Sequence, residues 1–348
     1  MGALLAFFLF LGFEGFGGGR SAHAAPGDDC PPVDIREGLS PALKDHFLLP
    51  RDQGDASLCV SFTLAELLSV ELGEPVSPLD IGHVARSLGD YRPPRAGPES
   101  LVNGGPGTTP MSALNALHDR GKGVCPMPAM PAPHDYRQSP HGSFSDQMYE
   151  LAVLQNMARL GYGPEEFRGF LEERGCDLGI TSHINIPAHQ IVAVLVRHKR
   201  LDLADILAAL ADLSCRERRI ELPPELRVAV SSRPAKLHPR VDDLLQKGKP
   251  AGLLVDVRYF HARNDAAGGH AMTILGRRPQ GGKCLYVVRN SWGYSCDAYK
   301  EPFRTHCALR AGTFLIAREQ LDAWAEYVFY LEETRPPSDK PPGAASED

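Results

Sequence analysis

The chain has 348 residues, 43% of them hydrophobic, with 37 basic against 43 acidic side chains and a formal net charge of −6. That near-balance leaves no basic excess for binding nucleic acid. The apolar run over residues 1–13 falls short of the about 20 residues needed to span a bilayer.

Taken in chain order, residues 1–24 read as a signal peptide, with Ala22-His23-Ala24 as the cleavage site before Ala25. Glu14 and Arg20 would leave together, so residues 25–348 would keep the charge of −6. Residues 25–50 are loop-like and proline-marked, and 51–130 read as mostly helical. There Val60, Phe62, Leu64, Leu67, Leu68 and Leu72 predict a helix that begins at Cys59 and closes at Gly73. Pro126, Pro128, Pro131 and Pro133 punctuate a stiff connector. Residues 143–215 read as a helical unit. Ser145 is the expected cap of a helix carrying Met148, Leu151, Leu154 and Met157. Pro164 opens a second, bearing Phe167, Phe170 and Leu171 and ended by Gly175. Residues 201–213 predict another helix, and 191–198 either a helix or, from its valines, a strand. Six short apolar runs then predict strands over 226–230, 252–259, 271–276, 283–289, 313–317 and 327–331. His270 precedes the third run and Asn290 follows the fourth, at strand ends that make rigid mounts for a reacting pair. The tail, 335–348, is rich in proline and charge and reads as disordered.

Export permits disulfides. Apart from Cys59 there are seven other cysteines, Cys30, Cys125, Cys176, Cys215, Cys284, Cys296 and Cys307, an odd number that leaves at least one without a partner in the chain. Cys176 with Cys215 and Cys296 with Cys307 are candidate pairs, and the sequence leaves the pairing open. No His-Glu-x-x-His run and no paired Cys-x-x-Cys occurs, so neither a metal nor a cofactor is expected. Arg197, His198, Lys199 and Arg200 read as a solvated helix end.

Cys59 carries the most chemistry. A free thiol is only about 3% ionised at neutral pH, and the thiolate is the nucleophile. Lowering its pKa to about 5 takes roughly 5 kcal/mol. A helix N-terminus supplies only about 0.3–2 kcal/mol of that, so a nearby cation is needed, and an imidazolium at His270 is the natural one. Gln53, Cys59, Gly269-His270-Ala271 and Asn290-Ser291-Trp292-Gly293, in that order, resemble the papain-like cysteine peptidases. Asp34-Ile35-Arg36 is similar to the family's opening Asp-Trp-Arg, Asn103-Gly104-Gly105 to its Asn-Gly-Gly, and Gly123-Val124-Cys125-Pro126 to a segment of bacterial members. The resemblance covers residues 31–130 and 226–332. It departs at Ala56-Ser57-Leu58-Cys59-Val60, where the family has Cys-Gly-Ser-Cys-Trp. Ala56 and Val102 together replace one of its disulfides, and Cys296 stands where a second tryptophan is common.

The resemblance implies an α+β, two-lobed papain-like fold with a helical left lobe and an antiparallel, β-barrel-like right lobe. Residues 25–130 would be the helical lobe with the nucleophile, 131–225 a helical insertion, and 226–334 the β-rich lobe with His270 and Asn290. The Cys59-to-His270 interval of 211 residues exceeds the family's roughly 130–150 by about the size of that insertion. By the same resemblance, Cys59 attacks, His270 moves the proton, Asn290 orients the imidazole and Gln53 donates to the oxyanion. Asn103, Gly104 and Gly105 would bind an extended substrate, the second glycine admitting its backbone where a Cβ would not. Trp292, grouped with them, would cover the Asn290–His270 hydrogen bond. The expected partner is a peptide or protein substrate, with no cofactor, no nucleic acid and no membrane once the leader is gone, and the protein is expected to be a monomer. Two rival readings are a catalytically silent scaffold on the same fold and a transglutaminase-like acyltransferase. Asn290, in place of the aspartate usual in the latter, favours hydrolysis.

Overall fold

A computed structural model describes residues 30–53, 58–88, 109–131, 144–173, 178, 180–181, 186–201, 203–232, 236–263, 268–293, 296–308 and 312–333. The expected leader (1–24), Ala56, Ser57, Val102, Asn103, Gly104, Gly105, Gly175, Cys176 and the tail lie outside them.

The fold is α+β. Its described helices are α1 (Pro41–Leu48), α2 (Cys59–Leu72), α3 (Pro78–Leu88), α4 (Pro110–Arg120), α5 (Phe144–Leu160), α6 (Pro164–Glu173), α7 (Ala188–Arg197), α8 (Leu203–Ser214), α9 (His238–Gln246) and α10 (Arg318–Trp324). The strands are β1 (Val33–Asp34), β2 (Leu226–Ser232), β3 (Ala251–Asp256), β4 (Gly269–Gln280), β5 (Lys283–Arg289), β6 (Thr313–Ala317) and β7 (Ala325–Glu333). They form one sheet in the order β2-β7-β3-β4-β5-β6, every pair antiparallel, with β1 added to β4. Gly276 lets β1 in, because a Cβ there would lie 2.4 Å from the Val33 carbonyl oxygen.

The helix α2 ends as expected on Gly73, at φ +72°, whose N–H bonds the Ser69 carbonyl. Residues 191–198 resolve as helix rather than strand: Ala188, Ile191, Val192 and Leu195 are buried at helical spacing, and that face outweighs the β preference of valine. The helix α5 begins at Phe144, one residue ahead of Ser145, the cap expected from the sequence. The predicted strand over 252–259 stops at Asp256, whose carboxylate accepts the Arg258 N–H and turns the chain into a 3₁₀ turn, Val257–Tyr259. His270 lies inside β4 rather than ahead of it, paired with Val255.

Among the described residues, three large apolar clusters and one small one (Leu285, Leu315 and Ala317) make up the core. Sheet residues such as Met272, Ile274 and Val288 pack with α9 and an aromatic group that includes Phe260, Tyr299 and Phe314. The inner faces of α2, α3 and α4 pack on Ala271, Phe329 and Leu331. Helices α5 to α8 share the third cluster with Leu58, Phe62 and Leu79, so they rest on the start of α2.

Among the described residues the disulfides are Cys30–Cys284, Cys125–Cys215 and Cys296–Cys307. The candidate pair Cys176–Cys215 is therefore corrected. Val124 bridges Ile220 in antiparallel fashion, which sets the Cys125 and Cys215 Cα atoms 5.6 Å apart, within bonding range. The three bonds fit an oxidising compartment outside the cytosol. No helix among the described residues is long and apolar enough to cross a membrane.

Candidate active site

Cys59 is the first residue of α2. Leu58, at the cap position, makes no side-chain capping bond, so the helix end is not closed by a side chain of its own. The Val60 N–H, the Ala271 N–H from β4 and the His270 imidazole all stand close enough to the Cys59 sulfur to favour its thiolate. Burial is the largest single influence and pushes the thiol pKa up. The imidazole and the two backbone donors together outweigh it and hold the pKa below the ordinary thiol value. Cys59 stays half-buried and is free of any disulfide.

The opposite edge of the His270 ring is pinned. Its Nε2 lies 2.6 Å from Asn290 Oδ1, which also accepts the Ser291 backbone N–H at 2.8 Å. A backbone N–H can only donate, so the amide oxygen stands at that end and Nε2 must carry the proton. Nδ1 is then the nitrogen left for the sulfur. The other end of the amide, Nδ2, donates to the Tyr299 hydroxyl at 2.8 Å. Trp292 closes over this chain. Its ring centroid lies 4.8 Å from that of His270 and stacks on Phe260 at 5.3 Å and on Tyr299 at 5.5 Å. Burial raises the Tyr299 pKa despite the Asn290 donor, so its hydroxyl stays protonated.

Gln53 is buried and tied to the same turn. Its backbone N–H bonds the Ser291 carbonyl at 2.9 Å, and its Oε1 accepts the Ser291 hydroxyl at 2.5 Å. The run 51–53 continues antiparallel to 291–293 through a bridge from Asp52 to Trp292 and the Gly293 N–H to the Arg51 carbonyl, 2.8 Å. Gly293 is required there: at φ +68°, a Cβ would come within 2.7 Å of the Asp52 carboxylate.

One buried ion pair joins the two halves behind the site. Arg289, the residue before Asn290, gives its Nε to Glu66 at 2.5 Å. Its other nitrogens donate to the backbone carbonyls of Phe47, of Leu49 at 2.7 Å and of His46 at 3.3 Å. Glu66 lies on α2, two turns after Cys59.

The fold thus brings His270 beside Cys59, hydrogen-bonds His270 to Asn290, places Trp292 on the imidazole and ties Gln53 to Ser291 beside them. Asn103, Gly104 and Gly105 lie outside the described residues. Sequence reasoning does not find Tyr299, Ser291, Phe260 or the Glu66–Arg289 pair. Only Ser291 carried a signal, lying inside the Asn-Ser-Trp-Gly run.

No family model matches the chain, and no curated protein does. Among solved structures it is similar to procathepsin L 3 of the Tenebrio molitor larval midgut, at 13% identity over 88% of this chain and 71% of that one, with a TM-score of 0.41. It is also similar to a procathepsin B from Trypanosoma congolense, at 12% identity over 88% and 79%, TM-score 0.47. A third is the proform of the Amb a 11 cysteine protease of ragweed pollen, at 13% identity over 93% and 65%, TM-score 0.41. Likenesses this distant carry no weight of their own.

Proposed function

We propose that this chain is an exported papain-like cysteine peptidase, similar to bacterial members, working as a monomer without a cofactor. The observation that carries the reading is the His270–Asn290 hydrogen bond beside the Cys59 thiol, whose pKa the imidazole helps hold down. In this reading the Cys59 thiolate attacks the carbonyl carbon of a peptide bond, forming a C–S bond. Gln53 and the Cys59 N–H stabilise the oxyanion, and such donors are typically worth about 3–4 kcal/mol. His270 gives its proton to the amine nitrogen as the C–N bond breaks, leaving a thioacyl-enzyme. A water then loses a proton to His270 and attacks, the C–S bond breaks, and acid and thiolate are released. Asn290 keeps the ring aimed throughout, and Trp292 shields the ring from water. Residues 131–225 act as an insertion between the two lobes, and Asn103, Gly104 and Gly105 pair with the substrate backbone. The three disulfides support export.

A thiol-directed epoxide tests this reading. Labelling should be fastest at Cys59 and should disappear in His270→Ala. A peptide-library digest by residues 25–348 should show cleavage that Cys59→Ala abolishes. Equal labelling of several cysteines, with no cleavage, would favour a silent scaffold; conjugates formed mainly with an added amine would favour acyl transfer.

A further inference from the structure

Asn290 lies in a dry setting: it is buried, and Trp292, Tyr299 and His270 all belong to one ring-contact network. Its amide has both ends occupied, the oxygen by His270 and Ser291 and the nitrogen by the Tyr299 hydroxyl. A buried amide N–H left without an acceptor is destabilised, which favours swinging the group off its preferred angle. The oxygen that aims His270 swings with it.

Tyr299 is held by few regular elements. It sits in the segment 296–307, between β5 and β6, where its N–H bonds the Cys296 carbonyl at 3.1 Å. It also forms an isolated bridge to His261 and packs at a tilt against Phe314, with ring centroids 4.8 Å apart. The Cys296–Cys307 disulfide closes that segment into a loop. Both of its cysteines are partly exposed, whereas Cys30, Cys284, Cys125 and Cys215 are buried.

We propose that Tyr299 is a positioning residue for the Cys59–His270 pair, acting through Asn290, and that the Cys296–Cys307 disulfide sets the reactivity of Cys59 by holding Tyr299 in place. The proposal rests on the reading of Cys59 and His270 as a thiol–imidazole pair, and it gives that pair a dependence on an oxidised surface loop. Breaking this disulfide takes two electrons from an external thiol reductant, yields two thiols and releases the loop. Cys59, in no disulfide itself, is not consumed.

The test uses the full chain and follows iodoacetamide alkylation of the peptide carrying Cys59 as a function of pH, so no substrate is needed. Tyr299→Phe keeps the ring and removes the hydroxyl. Its alkylation profile should move up by about one pH unit, leaving about tenfold less reaction on the acid side, while a thermal melt shows the chain still fully folded at the assay temperature. Cys296→Ser with Cys307→Ser should move the profile in the same direction, and adding Tyr299→Phe to that pair should move it no further, as expected of residues acting through one contact. A Tyr299→Phe profile that overlays the wild type overturns the proposal, and so do shifts that add in full. A wild-type profile already that of an ordinary thiol would instead defeat the thiol–imidazole reading underneath, and the two failures are told apart by which protein shows them.

Discussion

Removing the carboxylate of Glu66 should damage the protein more than its distance from the sulfur suggests. In Glu66→Leu the Arg289 guanidinium stays buried with its charge unopposed. Removing one partner of a buried pair costs about 3–5 kcal/mol. Arg289 keeps its backbone acceptors at Phe47, Leu49 and His46, so the lower end applies, about 3 kcal/mol. Glu66→Gln retains an acceptor oxygen for the Arg289 Nε and loses only the charge assistance, about 1–2 kcal/mol. Arg289→Met is the worst of the three. It strands the Glu66 carboxylate and also leaves three carbonyls without this donor, for about 5 kcal/mol in all. Urea melts of the three variants should therefore rank Arg289→Met, Glu66→Leu, Glu66→Gln, from most to least damaging. Because Arg289 precedes Asn290 and Glu66 stands on the helix that begins at Cys59, thiol reactivity should fall in the same order. A cost below about 1 kcal/mol for Glu66→Leu would refute the reasoning, since that is the scale of an exposed pair.

The pH dependence of Cys59 follows from the balance at its sulfur. His270→Ala removes the main influence that lowers the thiol pKa and leaves burial, so alkylation should rise only above the ordinary thiol value, read by iodoacetamide rate against pH. Asp322 accepts the Leu237 and His238 N–H groups at 2.8 and 3.1 Å, and its Oδ2 lies 2.6 Å from His238 Nδ1. Burial raises its pKa, but these contacts outweigh that and leave it below the usual carboxylate range. Its folded pKa is thus the lower one, so its contribution is complete above the unfolded value near 3.9 and is lost as pH falls through the folded value. Asp322→Asn should cost about 1 kcal/mol at neutral pH and a shrinking amount below about pH 4, measured by melts across that range. The Cys125–Cys215 bond closes a separation of 90 residues. Replacing both with serine should cost about 3–5 kcal/mol, and proteolysis should begin among α5 to α8.

What the sequence discloses depends on how local each signal is along the chain. Cys59, His270 and Asn290 were legible because each stands in a short run that resembles a papain-like motif, Gln53 to Cys59, Gly269-His270-Ala271 and Asn290-Ser291-Trp292-Gly293. The strands 283–289 and 313–317 were legible to the residue, since β-rich apolar runs bounded by glycine or charge define their own ends. What escaped depends on distance in sequence. The Glu66–Arg289 bond spans 223 residues, and nothing in either segment names the other. The Cys215 partner was equally out of reach, because pairing follows from the Val124–Ile220 bridge and not from spacing. Tyr299 escaped for a different reason: a lone tyrosine has no pattern of its own, and its role exists only because the Asn290 nitrogen needs an acceptor in a place that Trp292 keeps dry. The residues proposed to react can thus be read from their neighbours along the chain, whereas those that hold them in register are brought together only when the sheet places β5, α2 and the 296–307 loop side by side.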